Sequence, residues 1–193
     1  MKDTAVILLA SGLSRRFGSN KLMADLSGKP VVMHMGDTIS QYPFAARYAV
    51  IGAGDLRRTA ALAYAGFTLI DNPNPSAGQG RSVAVGAARA LEGGYNRALI
   101  VLADMPLVPA EHLKNLCAKE GDVVMSSLGD TKMPPALFSR AALKAIVKNE
   151  GVSAAVKSAA LTVPISPNAA LDIDTPADLI KVEAIMKQAH DHG

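Results

Sequence analysis

The stretch Leu8–Leu22, LLASGLSRRFGSNKL, passes from an apolar run into a loop with two glycines, three serines, two arginines and a lysine. The run it continues, Ala5–Ala10 (AVILLA), has no polar side chain. A short, continuous apolar run suits a strand buried on both faces. The loop after it is poor core material and suits the grip of an anion. Glycines let the backbone approach a ligand and aim amides at it. Arg16 offers a planar fork for phosphate oxygens, and Lys21 a point charge. A solvated loop with incidental charges is the alternative at this stage. The loop is not of the G-x-x-x-x-G-K-[ST] type: five residues separate Gly12 from Gly18, and no lysine follows Gly18.

Outward from this stretch, apolar runs alternate with helical patterns. Strands are expected at Ala5–Ala10, Ala46–Gly52, Phe67–Ile70, Ala98–Ala103, Asp122–Ser126 and Leu161–Pro164. Helices are expected at Pro30–Gln41, Asp55–Ala65, Ser82–Leu91, Pro109–Lys119, Ser139–Lys148, Val152–Ala159 and Pro176–His190. Alternation of this kind predicts an α/β fold with a mainly parallel sheet, flanked by helices on both faces. The chain has 193 residues, 49% hydrophobic and 19% charged, which suits one domain over 1–193. A net charge of +3 without a basic run excludes a nucleic-acid stripe and fits a small anionic ligand. No apolar stretch is long enough for a membrane span, and the amino end lacks the layout of a signal peptide. The single cysteine, Cys117, rules out a disulfide framework and reads as a small core residue. A cytoplasmic protein is the expectation.

Ligands of such sheets bind beyond the carboxyl ends of the strands. After Ala46–Gly52, the pair Gly52 and Gly54 suggests a dinucleotide fingerprint, but its third glycine position holds Arg57. A turn with Asp55 as helix N-cap is the better reading. After the third strand, DNPNPSAGQGRS forces a loop, with Ser82 able to cap the next helix and Gly80 and Ser82 placed to face a nucleotide. Asp104 ends the fourth strand. A buried carboxylate there is costly unless paired or metal-bound, and Mg2+ is often held by one or two carboxylates plus substrate phosphates. Thr175, Pro176 and Asp178 read as a helix start, which leaves Asp172 and Asp174 unexplained. One of the two can join Asp104 around a cation. The four histidines form no pattern with serine and carboxylate, so a hydrolytic triad is not expected.

Taken together, Leu9-Ala10-Ser11-Gly12-x-Ser14-x-Arg16-x-Gly18-x-x-Lys21 resembles the signature L-A-x-G-x-S-x-R-x-G-x-x-K of the molybdenum cofactor nucleotidyltransferases. ADMP at Ala103–Pro106 resembles their second motif. DIDTPADL at Asp172–Leu179 and the stretch Asn72–Ala90 are similar to the cytidylyltransferase branch. The resemblance implies a Rossmann-like nucleotidyltransferase fold. It implies transfer of a nucleoside monophosphate, CMP from CTP, to the phosphate of molybdopterin cofactor, with release of pyrophosphate. Leu9, Ala10, Ser11, Gly12, Asn72, Gly80 and Ser82 would then lie against the nucleotide. Arg16 would hold the outer phosphates, and Lys21 would stabilise charge on the attacked phosphate. Asp104 would bind Mg2+, with Asp174 as second ligand and Asp172 a weaker candidate. A molybdenum hydroxylase apoenzyme is the further partner implied. Two departures stand out. Ser11 occupies a position that is Ala in the cytidylyl branch and Gly in the guanylyl branch, which keeps GTP open. Met133 and Pro134 replace a Gly-His pair on the acceptor side, which keeps another phosphate acceptor open. A cofactor-insertion chaperone that binds nucleotide without turnover is the non-enzymatic alternative.

Overall fold

The computed structural model describes residues 3–12, 14, 16–52, 54–148, 152 and 161–191. The expected helix at Val152–Ala159, apart from Val152 itself, and the last two residues of the terminal HDHG lie outside them. The strands are β1 (Thr4–Ala10), β2 (Asp25–Leu26), β3 (Lys29–Pro30), β4 (Ala46–Gly52), β5 (Thr68–Asn72), β6 (Arg97–Leu102), β7 (Val123–Leu128), β8 (Thr131–Ser139) and β9 (Leu161–Pro164). The α-helices are α1 (Val31–Ser40), α2 (Leu56–Tyr64), α3 (Gln79–Glu92), α4 (Ala110–Cys117), α5 (Arg140–Lys148) and α6 (Pro176–Asp191). Seven strands form one sheet in the order β5-β4-β1-β6-β8-β7-β9, and β2 and β3 form a small hairpin apart from it. Every strand of the sheet runs parallel to β1 except β8, which is antiparallel to both neighbours.

β1 is buried along its whole length. Successive side chains of a strand point to opposite faces. Val6, Leu8 and Ala10 pack with α1, α4 and α6, whereas Ala5, Ile7 and Leu9 pack with α3 and α5. The expected sheet with helices on both faces is therefore what the chain forms. Asp55 caps α2 as expected, accepting from the Arg58 amide at 3.0 Å.

One expectation needs correction, and one strand of the sheet was not expected. Ser82 does not cap a helix: α3 begins at Gln79, after Gly78 at φ 92°, and Ser82 is a buried residue of its first turn. The segment KMPPALFS is a strand, β8, wedged between β6 and β7. Met125 pairs with Ala136 but Ser126 pairs with Met133, so Pro134 and Pro135 stand out of register as a bulge. Prolines lack the N–H that a ladder needs, and a bulge is where a sheet accommodates them. His112 and Ser126 brace this point. Ser126 Oγ donates to Pro135 O at 2.8 Å, so it accepts from His112 Nε2, also at 2.8 Å.

His34 on α1 donates from Nε2 to Leu26 O of the hairpin at 2.9 Å. Burial pushes both imidazoles below the ordinary histidine value of 6.5. The unfolded chain then binds more protons than the fold on the acid side of that value. The stability from keeping both rings neutral is complete above pH 6.5 and is lost as pH falls through the lowered folded values. Thermal midpoints measured from pH 8 to pH 5 should fall on the acid side, and a His112→Gln variant should show a shallower fall. A parallel fall in that variant would remove His112 from the account.

The start of α6 is a reciprocal cap. Asp178 Oδ2 accepts from the Thr175 amide and hydroxyl, each at 2.8 Å, and the Asp178 amide donates to Thr175 Oγ1 at 3.3 Å. The same carboxylate accepts from the Asp174 amide at 3.2 Å, so it also fixes the backbone that presents Asp174. The Thr175 hydrogen bonds hold its carboxyl below the usual 3.8. Its stabilisation is present above that value and disappears as pH falls through the lower folded one. Asp178→Ala should cost ~1 kcal/mol. At this chain length that lowers the thermal midpoint by about 2–4 °C.

Candidate active site

A cavity of about 430 Å³ opens at the carboxyl ends of β1 and β6. One wall is the loop after β1, with Ser11, Gly12 and Ser14. Among the described residues, a side chain at Gly12 would meet no heavy atom within 4 Å, which leaves room for a ligand beside it. Ser14 sits at φ 50°, and its hydroxyl accepts from the Lys21 amide at 3.2 Å, folding the loop back on itself. The opposite side of the cavity is the segment after β6 and the segment before α6, which bring in Asp104 and Asp174. These two segments are tied by a main-chain bond from Ile173 N to Asp104 O at 2.9 Å.

Lys21 joins the two sides. It is 7% exposed, and its ammonium lies 2.8 Å from Asp104 Oδ2 and 2.8 Å from Asp174 Oδ1. Burial pulls its pKa down, but the charges and hydrogen bonds of the two acids outweigh this, and the net direction is up from 10.5. Lys21 therefore stays cationic. Arg16 holds the other oxygen of Asp174 at 2.7 Å from a side chain that is 76% exposed. An exposed pair of this kind contributes little and is easily exchanged.

The remaining sequence candidates separate into three groups. Leu9 and Ser82 line the cavity, whereas Ala10, Asn72 and Gly80 do not. Asn72, at the end of β5, is 1% exposed and donates to Ser82 Oγ at 3.0 Å. Asp172 is exposed, lies off the cavity wall, and has its carboxyl pushed up, first by local desolvation and then by the charge of Asp174. The sequence reading passed over Ser76, Gly78, Gln79 and Leu102 on the wall. Gly78 carried a signal: its positive φ starts α3 early, and SAGQG holds two glycines where one turn would need one. Cys117 is half-buried against the core, and burial pushes its thiol up to about 11.

Asp104 and Asp174 supply hard carboxylate oxygens, one from each held by the Lys21 ammonium, and keep about a quarter of their side-chain surface open, at 22% and 26%. That donor set fits Mg2+. Among the described residues no group of three or more His, Cys, Asp and Glu is arranged to hold a metal ion. Two carboxylates completed by phosphate oxygens are the arrangement the residues allow. No helix among them is long and apolar enough to cross a membrane.

A mainly parallel sheet with a glycine loop, a buried lysine and paired acids at its carboxyl edge is the arrangement in which open α/β sheets bind ligands. The chain belongs to the family of the MobA-like NTP transferase domain, whose profile matches residues 6–162, and it is thus a nucleotidyltransferase of that family. It is 29% identical to the purine catabolism protein PucB of Bacillus subtilis over 93% of this chain and 96% of the relative. Its fold is shared by Rv0371c of Mycobacterium tuberculosis, with a TM-score of 0.79 at 20% identity over 94% of this chain and 98% of that one. It is shared too by molybdopterin-guanine dinucleotide biosynthesis protein A of Archaeoglobus fulgidus, with a TM-score of 0.66 at 21% identity over 95% and 99%.

Proposed function

We propose that the chain transfers CMP from CTP to the phosphate of molybdopterin cofactor, with Mg2+ held by Asp104 and Asp174. The observation that carries this reading is the convergence of Lys21, Asp104 and Asp174 across the cavity from the glycine loop. Nucleotidyl transfer depends on positioning and on neutralising phosphate charge more than on covalent help from the protein. An oxygen of the acceptor phosphate bonds to the α-phosphorus, the bond from that phosphorus to the bridging oxygen breaks, and pyrophosphate leaves.

The backbone around Ser11 and Gly12 would take the nucleotide. Arg16 would exchange Asp174 for the outer phosphates, which its exposed side chain permits. Lys21, held cationic, would stabilise the charge that grows on the attacked phosphate. Bound Mg2+ would add charge neutralisation across the triphosphate. The attacking phosphate is already anionic near neutral pH, so the absence of a general base from the motifs is consistent with the chemistry. The similarity of Asp172–Leu179 and Asn72–Ala90 to the cytidylyl branch supports CTP over GTP. The MobA-like family and the fold shared with a molybdopterin-guanine dinucleotide biosynthesis protein support a molybdopterin-type acceptor.

The test is pyrophosphate release with CTP, GTP, ATP and UTP, each with molybdopterin cofactor and Mg2+, followed by mass analysis of the product. CTP should give the fastest release and a cytidine dinucleotide. Chelation of the metal should abolish release and added Mg2+ should restore it. Release with GTP alone would overturn the base assignment. CTP consumption with a small phosphate but never with molybdopterin would overturn the acceptor, and Met133 and Pro134 would then be the place to look. Nucleotide binding without release under any condition would favour the chaperone.

A further inference from the structure

We propose that Asn72, Ser82 and Ser11 form a directed hydrogen-bond relay that presents one hydroxyl proton to an acceptor atom on the base or sugar of the bound nucleotide. The inference rests on the nucleotide reading of the cavity and assigns the polarity of one of its walls.

The three side chains are 1%, 4% and 6% exposed, in that order, and come from β5, α3 and the loop after β1. Counting protons shows that the relay has one hydrogen to spare. The Asn74 amide donates to Asn72 Oδ1 at 3.0 Å, which fixes the carboxamide so that Nδ2 faces Ser82. Asn72 Nδ2 then donates to Ser82 Oγ at 3.0 Å. Ser82 Oγ and Ser11 Oγ are 2.6 Å apart. Two hydroxyls share one bond, so one of their two hydrogens is used between them and the other is left over. Among the described residues nothing takes it. Either hydroxyl can donate in this pair, and the proposal takes the head-to-tail order, in which Ser82 accepts from Asn72, donates to Ser11 and leaves the spare hydrogen on Ser11. Each link in such a chain polarises the next. Ser11 lines the cavity, so the hydrogen has a ligand to meet.

The topology says which part of the ligand. β1 lies between β4 and β6. The hydroxyl pair sits on the β4–β5 flank, where Asn72 ends β5 and Gly52 of β4 abuts Ser11 and Pro75. Lys21, Asp104 and Asp174 occupy the β6 flank. Phosphates go to the cations, which leaves a neutral carbonyl oxygen, ring nitrogen or sugar oxygen for Ser11. Asn72 is a positioning residue in this scheme, acting through Ser82 on the hydroxyl that touches the nucleotide.

The relay can be reversed at nearly constant volume. In Asn72→Asp the carboxylate can only accept, so Ser82 donates to it and accepts from Ser11, and the spare hydrogen is consumed. The experiment measures binding of the preferred nucleoside triphosphate and of inorganic tripolyphosphate to the wild type, S11A, N72D and the double variant. S11A and N72D should each weaken the nucleotide about tenfold, the worth of one hydrogen bond to a neutral group. The double variant should be no weaker than S11A, and tripolyphosphate should bind all four alike. Additive losses, or equal weakening of tripolyphosphate, would overturn the relay. If N72D does not fold, S82A takes its place in the same cycle, again with no further loss expected beyond S11A. A wild-type protein that binds neither the nucleotides nor tripolyphosphate would overturn the reading of the cavity itself, and the relay with it.

Discussion

A Lys21→Ala variant is expected to lose ~10²–10³-fold in the rate of pyrophosphate release, the range for removing one well-placed charge-stabilising donor. Lys21 is the only cation that contacts both Asp104 and Asp174 among the described residues, and it is the most buried charge in the cavity. In the proposed reaction its loss removes a positive charge from beside the attacked phosphate. It also leaves two carboxylates facing each other with only Arg16 to compensate, from a largely exposed side chain. Arginine is not a conservative replacement, because its planar fork cannot occupy the point between two acids that an ammonium fills. Single-turnover release with saturating nucleotide and Mg2+ reads the chemical step directly. The stability of the variant should differ from wild type at neutral pH. Lys21 is raised in the fold, so its stabilisation is complete below 10.5 and is lost as pH rises through the folded value. The two proteins should therefore converge in stability at strongly alkaline pH. Turnover within twofold of wild type would remove Lys21 from the chemistry.

The largest effect on stability is expected from Gly86→Val. Gly86 lies on the face of α3 that packs on the central strand. A Cβ there would come 2.5 Å from Ile7 Cγ2 and 3.2 Å from Val50 Cγ2. Ile7 is fully buried in β1, and Val50 is fully buried in β4. Both are β-branched with stiff side-chain torsions, so neither can swing away. The helix must lift, and it would break contacts made by Ala87 and Ala90 on the same face. Overpacking of this kind costs ~3 kcal/mol. A chain of this length then loses about 6–12 °C of thermal midpoint. A midpoint unchanged within a degree would mean that α3 rides higher on the sheet than described.

The sequence made the parallel part of the sheet legible for a specific reason. AVILLA and ALIVLA have no polar position because both faces of β1 and β6 meet helices, and such runs have few other readings. β8 was not legible. Pro134 and Pro135 argue against a central strand, and only the bulge opposite Met125 and Ser126 reconciles them with one. The hairpin of β2 and β3 is too short to leave a periodic trace. In the site, Lys21, Asp104 and Asp174 were legible as residue types in order, but their meeting at one ammonium was not. That meeting depends on the bond from Ile173 to Asp104, a main-chain contact that leaves no side-chain signature. Ser82 shows the opposite failure. A serine ahead of a helical pattern reads as a cap, and its partnership with Ser11 and Asn72 is visible only once β1, α3 and β5 are side by side.

The three charges of the centre lie far apart along the chain, with contacts spanning 83 and 153 positions. A chain is made from its amino end, and long-range contacts wait for their second partner. Every strand of the seven-stranded sheet is complete by Pro164, before Asp174 has been added. During synthesis the scaffold can therefore assemble around a Lys21 that has met one acid and not the other. A chain ending short of residue 174 holds every strand of the sheet and a Lys21 with one acid, but neither the second acid nor the helix α6 that covers one face of β1.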